Sequence, residues 1–346
     1  MFTKRQTHIL NLIQSSPGLS ISEIAQYLEQ SDFESISKIT LLRDLNFLIN
    51  EGVVTRLKKA RATKYIATNP NPLFYIFDVK NYFSTEDRQL KYSHFNFDVF
   101  NYLNNIFDER ELNELESFHN KFLKNFEKFS ENAVQKELER ITVEFSWKSS
   151  QIEGNTYSIL DTERLIKDKV QATGHPFEEA IMILNHKKAM DFIFQNRDYF
   201  REINILKIED IHRLISTDLN INSGIRKTLV GIIGTDYKPI DNEYQIRESL
   251  EKLCNVINST KFALEKALIA IAMISYIQPF EDGNKRTSRS IGNAILMANG
   301  FCPLSYKTID EIEYKKAIIL FYEQNSIKYF KDLFVAQFKH AVDKYF

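Results

Sequence analysis

The 346 residues are 43% hydrophobic and 26% charged, with a formal net charge of −1, the composition of a soluble globular chain whose overall charge selects no partner. Length suits two or three domains rather than one ordinary helical domain. The two cysteines, Cys254 and Cys302, exclude a disulfide framework and sit in no metal-ligand spacing, which favours a reduced, cytoplasmic setting. No secretory signal is visible, and the longest apolar stretch, residues 267–274, is far short of a membrane span.

Only 10 glycines and 7 prolines punctuate the chain, so a mostly α fold is expected. Residues 1–68 read as one small unit. Helical periodicity covers residues 3–15. Ser20 caps a second helix with Glu23 at the capping-box position. A third helix covers residues 37–50 and stops at Glu51-Gly52. Two strands follow, residues 53–57 and 63–67, around a basic turn. Three helices and a hairpin make the winged helix-turn-helix pattern. This unit holds nine Lys/Arg against six Asp/Glu. DNA is therefore its expected partner, with Ser35, Lys38, Thr40, Arg43 and Asn46 on the recognition helix and Lys58, Lys59, Arg61 and Lys64 offered to phosphates. A protein-docking role is the alternative. Asn69-Pro70-Asn71-Pro72 reads as a linker, and residues 69–136 as a helical connector rich in Phe and Asn.

A second helical unit covers residues 137–346. One β-hairpin is expected within it, residues 228–237. Its most informative stretch is Ile277-Gln278-Pro279-Phe280-Glu281-Asp282-Gly283-Asn284-Lys285-Arg286-Thr287-Ser288-Arg289, set between two apolar helices. A Gly-Asn turn that opens a helix offers unpaired amides at the positive end of the helix dipole, a ready anion site. Arg286 and Arg289, three residues apart, share a face and can fork onto phosphate oxygens. Asp282 is a hard oxygen ligand suited to nucleotide-bound Mg²⁺.

This stretch resembles the signature of the Fic family, His-x-Phe-x-(Asp/Glu)-Gly-Asn-Gly-Arg-x-x-Arg, which includes protein AMPylators. Phe280, Asp282, Gly283, Asn284, Arg286 and Arg289 match it. The resemblance implies an all-α core that binds ATP and Mg²⁺, with Asp282 on the metal. It places Gly283, Asn284 and Lys285 at the α-phosphate loop, and Arg286 and Arg289 on the β- and γ-phosphates. Two positions depart from it. Gln278 stands where the family has its catalytic histidine, and a glutamine amide takes up no proton near neutral pH. Lys285 stands at the signature's last glycine, as in the Doc branch, whose members are kinases.

A second string, Ser149-Ser150-Gln151-Ile152-Glu153-Gly154, resembles the family's inhibitory pattern, (Ser/Thr)-x-x-x-Glu-(Gly/Asn). It implies an inhibitory helix at about residues 140–155, with Glu153 pairing with Arg289, Ser149 one turn earlier and Gly154 closing the helix. Gly231, Ile232, Ile233 and Gly234 resemble the family's flap, which docks a target protein by β-augmentation. Fic proteins often pair through helical faces, so a homodimer is also compatible. Three readings follow: an autoinhibited AMPylator acting on a protein hydroxyl, a non-catalytic nucleotide-sensing transcriptional regulator, or a Doc-like protein kinase.

Overall fold

The computed structural model describes residues 2–30, 36–59, 62–68 and 71–346, with the backbone alone for residues 58, 59 and 62. Ser35, Arg61 and the Asn69-Pro70 half of the linker lie outside the described residues. Two compact units divide the chain: Met1–Lys91 with Gln324–Tyr329, and Tyr92–Glu323 with Phe330–Phe346. The segment read as a connector contributes to both.

The first unit runs α1 (Lys4–Ser15), β1 (Leu19–Ser20), α2 (Ile21–Glu29), α3 (Lys38–Asn50), β2 (Val54–Lys59) and β3 (Ala62–Ala67). Each helix starts at a hydroxyl cap. Thr3 and Ser20 form reciprocal capping boxes with Gln6 and Glu23, and Ser37 caps α3. The three strands pair antiparallel in the order β1-β3-β2, with Leu19 opposite Tyr65 and Val54 opposite Ala67. Strand β1 was not expected, because two residues carry no alternation to read. Ile9, Ile13, Ile24, Leu41, Leu45 and Leu48 fill the core. Asp44 is buried among them, held by Arg5 Nε at 2.5 Å and Gln6 Nε2 at 3.0 Å. Helix α4 (Val79–Tyr82) and the 324–329 segment complete the unit, the latter joined by Ile327 N–H donating to Leu73 O at 2.7 Å.

The expectation that residues 69–136 form a helical connector needs correction in its first part. Among the described residues, only a four-residue helix and short 3₁₀ turns precede Glu109. The Asn and Asp side chains there cap local turns, as Asn71, Asp78 and Asn96 do, and compete with helix propagation.

The second unit contains α5 (Glu109–Phe126), α6 (Glu131–Ile152), α7 (Ile159–Asp168), α8 (Phe177–Gln195), α9 (Ile205–Ser216), α10 (Glu243–Ser259), α11 (Ala263–Ile277), α12 (Asn284–Ala298), α13 (Glu311–Gln324) and α14 (Lys328–Tyr345). Helix α11 is buried at every position except Lys266, as expected of a helix that is apolar all round. It packs on α10 and α12, and α12 in turn meets α6, α8 and α9. Close approach of α11 and α12 depends on Gly292. A Cβ there would lie 2.5 Å from Ile271 Cδ1.

The β-hairpin expected at residues 228–237 is absent. The segment is an extended loop with one turn, and its nearest ladder contact is a single parallel bridge between His94 and Lys238. Leu229 and Ile233 are exposed, so no buried face fixes a strand register. Gly231 and Gly234 further weaken any strand.

Candidate functional site

The loop between α11 and α12 is bracketed by two left-handed residues. Gln278 (φ 52°) ends α11, and Gly283 (φ 78°) opens α12. No side chain caps α12, so its first-turn amides keep their orphan donors. The helix begins at Asn284. Asn284 ties the loop together. Its Oδ1 accepts from Phe280 N–H at 2.8 Å, and its Nδ2 donates to Phe280 O and to Gln278 Oε1 at 2.8 and 2.9 Å. The other end of the Gln278 amide, Nε2, donates to Ser275 O at 2.7 Å. Both ends of the amide are thus engaged.

Arg286 and Arg289 are both buried beneath this turn. Arg286 Nη2 donates to Asp282 Oδ2 at 2.9 Å, while its Nη1 is buried with no hydrogen-bond partner among the described residues. The Asp282 side chain is 70% exposed. Arg289 is held from α6. Nε donates to Ser149 Oγ, and Nη2 to Ser149 O and Glu153 Oε1, each at 2.9 Å. Lys285 Nζ lies 3.7 Å from the other oxygen of Glu153. Burial alone would raise the Glu153 carboxyl, but Arg289 and then Lys285 and Arg286 outweigh it and hold it at about 2. Gly154 (φ 100°) lets the chain turn directly after Glu153, and the amides of Gly154 and Asn155 close back onto Gln151 and Ser150. The inhibitory-motif residues and the signature residues, 136 positions apart, are therefore neighbours.

A cavity of about 200 Å³ lies beside this clamp, bordered by Glu153, Lys285, Ile232, Ile233, Tyr314 and Tyr322. Gly234 packs on Ile319 of α13, 3.5 Å from where its Cβ would stand, and Gly231 has open space around it. A larger cavity of about 510 Å³, between α6, α7 and α8, shares no residue with the loop.

Two further residues pack against this loop. Arg226 is buried. Its Nε donates to Gln278 O at 2.7 Å, its Nη1 to Thr228 O at 2.7 Å and its Nη2 to Ile240 O, while its own N–H bonds Pro279 O. It joins the root of the 228–237 loop to the C-terminal end of α11, where a cation suits the dipole. His212 is distant in sequence but stacks on Phe280 with ring centroids 3.7 Å apart, and its Nε2 faces Asp282 O at 3.0 Å. Burial lowers it to about 4, so it is neutral. Backbone carbonyls are the partners in both cases, and no spacing in sequence announces them.

In the first unit Lys38, Arg43 and Asn46 are exposed on α3, with Asn46 bonded to Arg56. Thr40 Oγ1 is shared with the Ser37 cap at 2.9 Å. Lys64 Nζ lies 4.0 Å from Glu23. The backbones of Lys58 and Lys59 close β2.

An uncapped helix N-terminus thus lies over two buried guanidinium groups, one of them paired with a carboxylate from a neighbouring helix. Residues 176–296 match the Fic/DOC family, and the chain carries a Fic/DOC domain. It is 27% identical over 179 residues to protein adenylyltransferase Fic of Nematostella vectensis, covering 49% of this chain and 40% of that protein. It is 28% identical over 171 residues to protein adenylyltransferase fic-1 of Caenorhabditis elegans, covering 47% and 33%. The chain thus spans well under half the length of these curated relatives. A solved fragment of Fic-1 from C. elegans superposes with a TM-score of 0.58 at 22% identity, over 68% of this chain and 71% of that one. A Fic domain containing signaling protein from Bacteroides thetaiotaomicron gives 0.57 at 17%, over 66% and 94%.

Proposed function

We propose that this chain is an ATP-binding, AMPylator-like Fic protein held in an autoinhibited state by Glu153, with a first unit that binds DNA as a winged helix-turn-helix. The observation that carries the nucleotide reading is the grip of Glu153 on Arg289 beside the open cavity. A triphosphate laid along the N-terminus of α12 meets the loop amides and the unpartnered Nη1 of Arg286. Glu153 and a distal phosphate would compete for the Nη2 edge of Arg289, whose Nη1 is buried with no hydrogen-bond partner among the described residues.

Mg²⁺ fits the same site through Asp282, whose exposed carboxylate is a hard oxygen donor. No group of three or more His, Cys, Asp or Glu among the described residues could hold a metal, so phosphate oxygens would complete its shell. The ion would neutralise phosphate charge. The protein's part is to fix the triphosphate, and to expose the flank at residues 231–234 to a target chain. At the position of the family's base, Gln278 accepts no proton, and its amide is engaged at both ends.

That last observation favours a second reading, a nucleotide-sensing regulator without transferase activity that controls the DNA-binding unit. Incubation with ATP labelled at the α-phosphate separates the two. Labelling of protein by the Glu153→Gly variant with Gln278 intact supports an enzyme. Nucleotide binding without any label transfer supports the regulator. Absence of nucleotide binding in both parent and variant would refute the shared premise.

A further inference from the structure

The clamp on Arg289 has a backing that neither the signature nor the inhibitory pattern contains. His186 of α8 is fully buried, with Nε2 2.8 Å from Ser149 Oγ and Nδ1 2.9 Å from Met182 O and 3.1 Å from Ser150 Oγ. The polarity of this chain can be assigned from its ends. A carbonyl only accepts, so Nδ1 carries the ring proton and donates to Met182 O. Arg289 Nε only donates, so Ser149 Oγ accepts from it at 2.9 Å. The single Ser149 hydroxyl proton is then free for one partner, the bare Nε2 of a neutral ring. Burial first, and the charge of Arg286 second, hold the imidazole near 3, which keeps it neutral; Arg289 acts the same way, and Glu153 works against them. Phe145 of α6 seals its edge, with ring centroids 5.7 Å apart.

We propose that His186 is a positioning residue for Arg289: as a neutral acceptor it turns the Ser149 hydroxyl so that its lone pairs face the guanidinium, fixing Arg289 in the orientation that Glu153 grips. This rests on the reading that the grip competes with nucleotide. It adds a third helix, α8, to a latch otherwise made of α6 and α12. It also makes Ser149 an oriented acceptor rather than a spacer one turn before Glu153. Loss of the acceptor lets the hydroxyl rotate and offer its proton toward the guanidinium, which loosens the latch.

The test is calorimetric titration of the full chain with ATP·Mg²⁺. His186→Leu should tighten ATP binding by about fivefold, the scale of one neutral hydrogen bond. His186→Gln, which restores an acceptor amide oxygen, should return the affinity to that of the parent. In a Ser149→Ala background His186→Leu should change nothing further. A His186→Leu effect that survives Ser149→Ala, or that Gln fails to reverse, would mean a packing role and overturn the assignment. Should the Leu variant not fold, His186→Met takes its place: tightening that Ser149→Ala abolishes supports the relay, and no tightening, or tightening that survives Ser149→Ala, overturns it. Glu153→Gly is the control. Tightening there with no change in His186→Leu sinks the relay alone, whereas no change in Glu153→Gly sinks the underlying competition.

Discussion

The two oxygens of Glu153 hold two cations of one helical turn: Oε1 accepts from Arg289 at 2.9 Å, and Oε2 faces Lys285 at 3.7 Å. Lys285 stands where the Fic signature has glycine, so a cation at this position adds a second point of attachment for the Glu153 carboxylate. Lys285, expected from sequence at the phosphate loop, is thus also an ion-pair partner of Glu153.

Removing that carboxylate leaves Arg289 buried with the Ser149 atoms and the Tyr314 ring as its neighbours but no counter-charge in contact. Glu153→Gly should therefore lower stability in the absence of ligand by about 3 kcal/mol. Added ATP·Mg²⁺ should raise the melting temperature of the variant more than that of the parent, since ligand that binds only the folded state stabilises by mass action. Scanning calorimetry with and without nucleotide reads both effects. Equal ligand shifts in the two proteins would contradict competition at Arg289.

The same pair sets a pH dependence. The carboxyl sits at about 2 when folded against an ordinary 4.5, so the unfolded chain binds the proton more tightly. Its contribution is present above about pH 4.5 and is lost as pH falls through about 2. The shift of roughly two and a half units corresponds to about 3 kcal/mol. Urea melts from pH 7 to pH 2 should show parent and Glu153→Gln converging at the acid end. Convergence already near pH 5 would show that the carboxyl is not depressed, and with it that the clamp is weak.

Gln278 gives a gain-of-function prediction. A histidine accepts the left-handed backbone at this position more readily than most residues. It would restore a group able to take a proton from an incoming hydroxyl. Gln278→His combined with Glu153→Gly should transfer label from α-labelled ATP at least about 10²-fold faster than Glu153→Gly alone. Equal rates would place the base elsewhere in the site or remove transferase chemistry from consideration.

What the sequence disclosed follows from which interactions are local. The cap at Ser20 and its partner Glu23 are written within three residues of the helix start, and the structure has them. Gly283 and the apolar run of α11 are likewise legible, because a left-handed turn and an all-apolar helix each have a compositional mark. The neighbourhood of Glu153 and Arg289 could be anticipated only through a motif pair, since no periodicity links residues 136 apart. Arg226, His186 and His212 were not legible as site residues. Each bonds to a carbonyl, two of them also to a side-chain hydroxyl or a ring, and any residue supplies a carbonyl. The expected hairpin failed for the converse reason: the short apolar segments at residues 229–233 resemble strands, but strands need a buried face or a partner, and Ile233 has neither.

The first unit can be tested by salt. If β2 and β3 meet DNA phosphates, Lys58→Ala with Lys64→Ala removes two contacts. The slope of log affinity against log salt should then flatten by about 1.8. Fluorescence anisotropy with a short duplex at several salt concentrations measures this. An unchanged slope would favour the protein-docking alternative for this unit.

The packing beneath the loop makes the last prediction, and it separates scaffold from chemistry. Gly292 lies on the α12 face that meets α11, and a Cβ there would come within 2.5 Å of Ile271 Cδ1 and 2.7 Å of Cγ1. Its φ is not positive, so alanine meets a steric obstacle rather than backbone strain. Gly292→Ala should cost about 1–3 kcal/mol, the usual penalty of overpacking a dense core. Ile271→Ala alone should cost about 2–5 kcal/mol through the cavity it leaves. The two sites share one contact, so the costs should not add: the double variant should be more stable than the sum of the single losses predicts. Denaturant midpoints of the four proteins measure the coupling. Strict additivity would mean that the α11–α12 contact relaxes freely. The turn they carry would then owe its shape to Asn284 and Arg226 rather than to the helices beneath it.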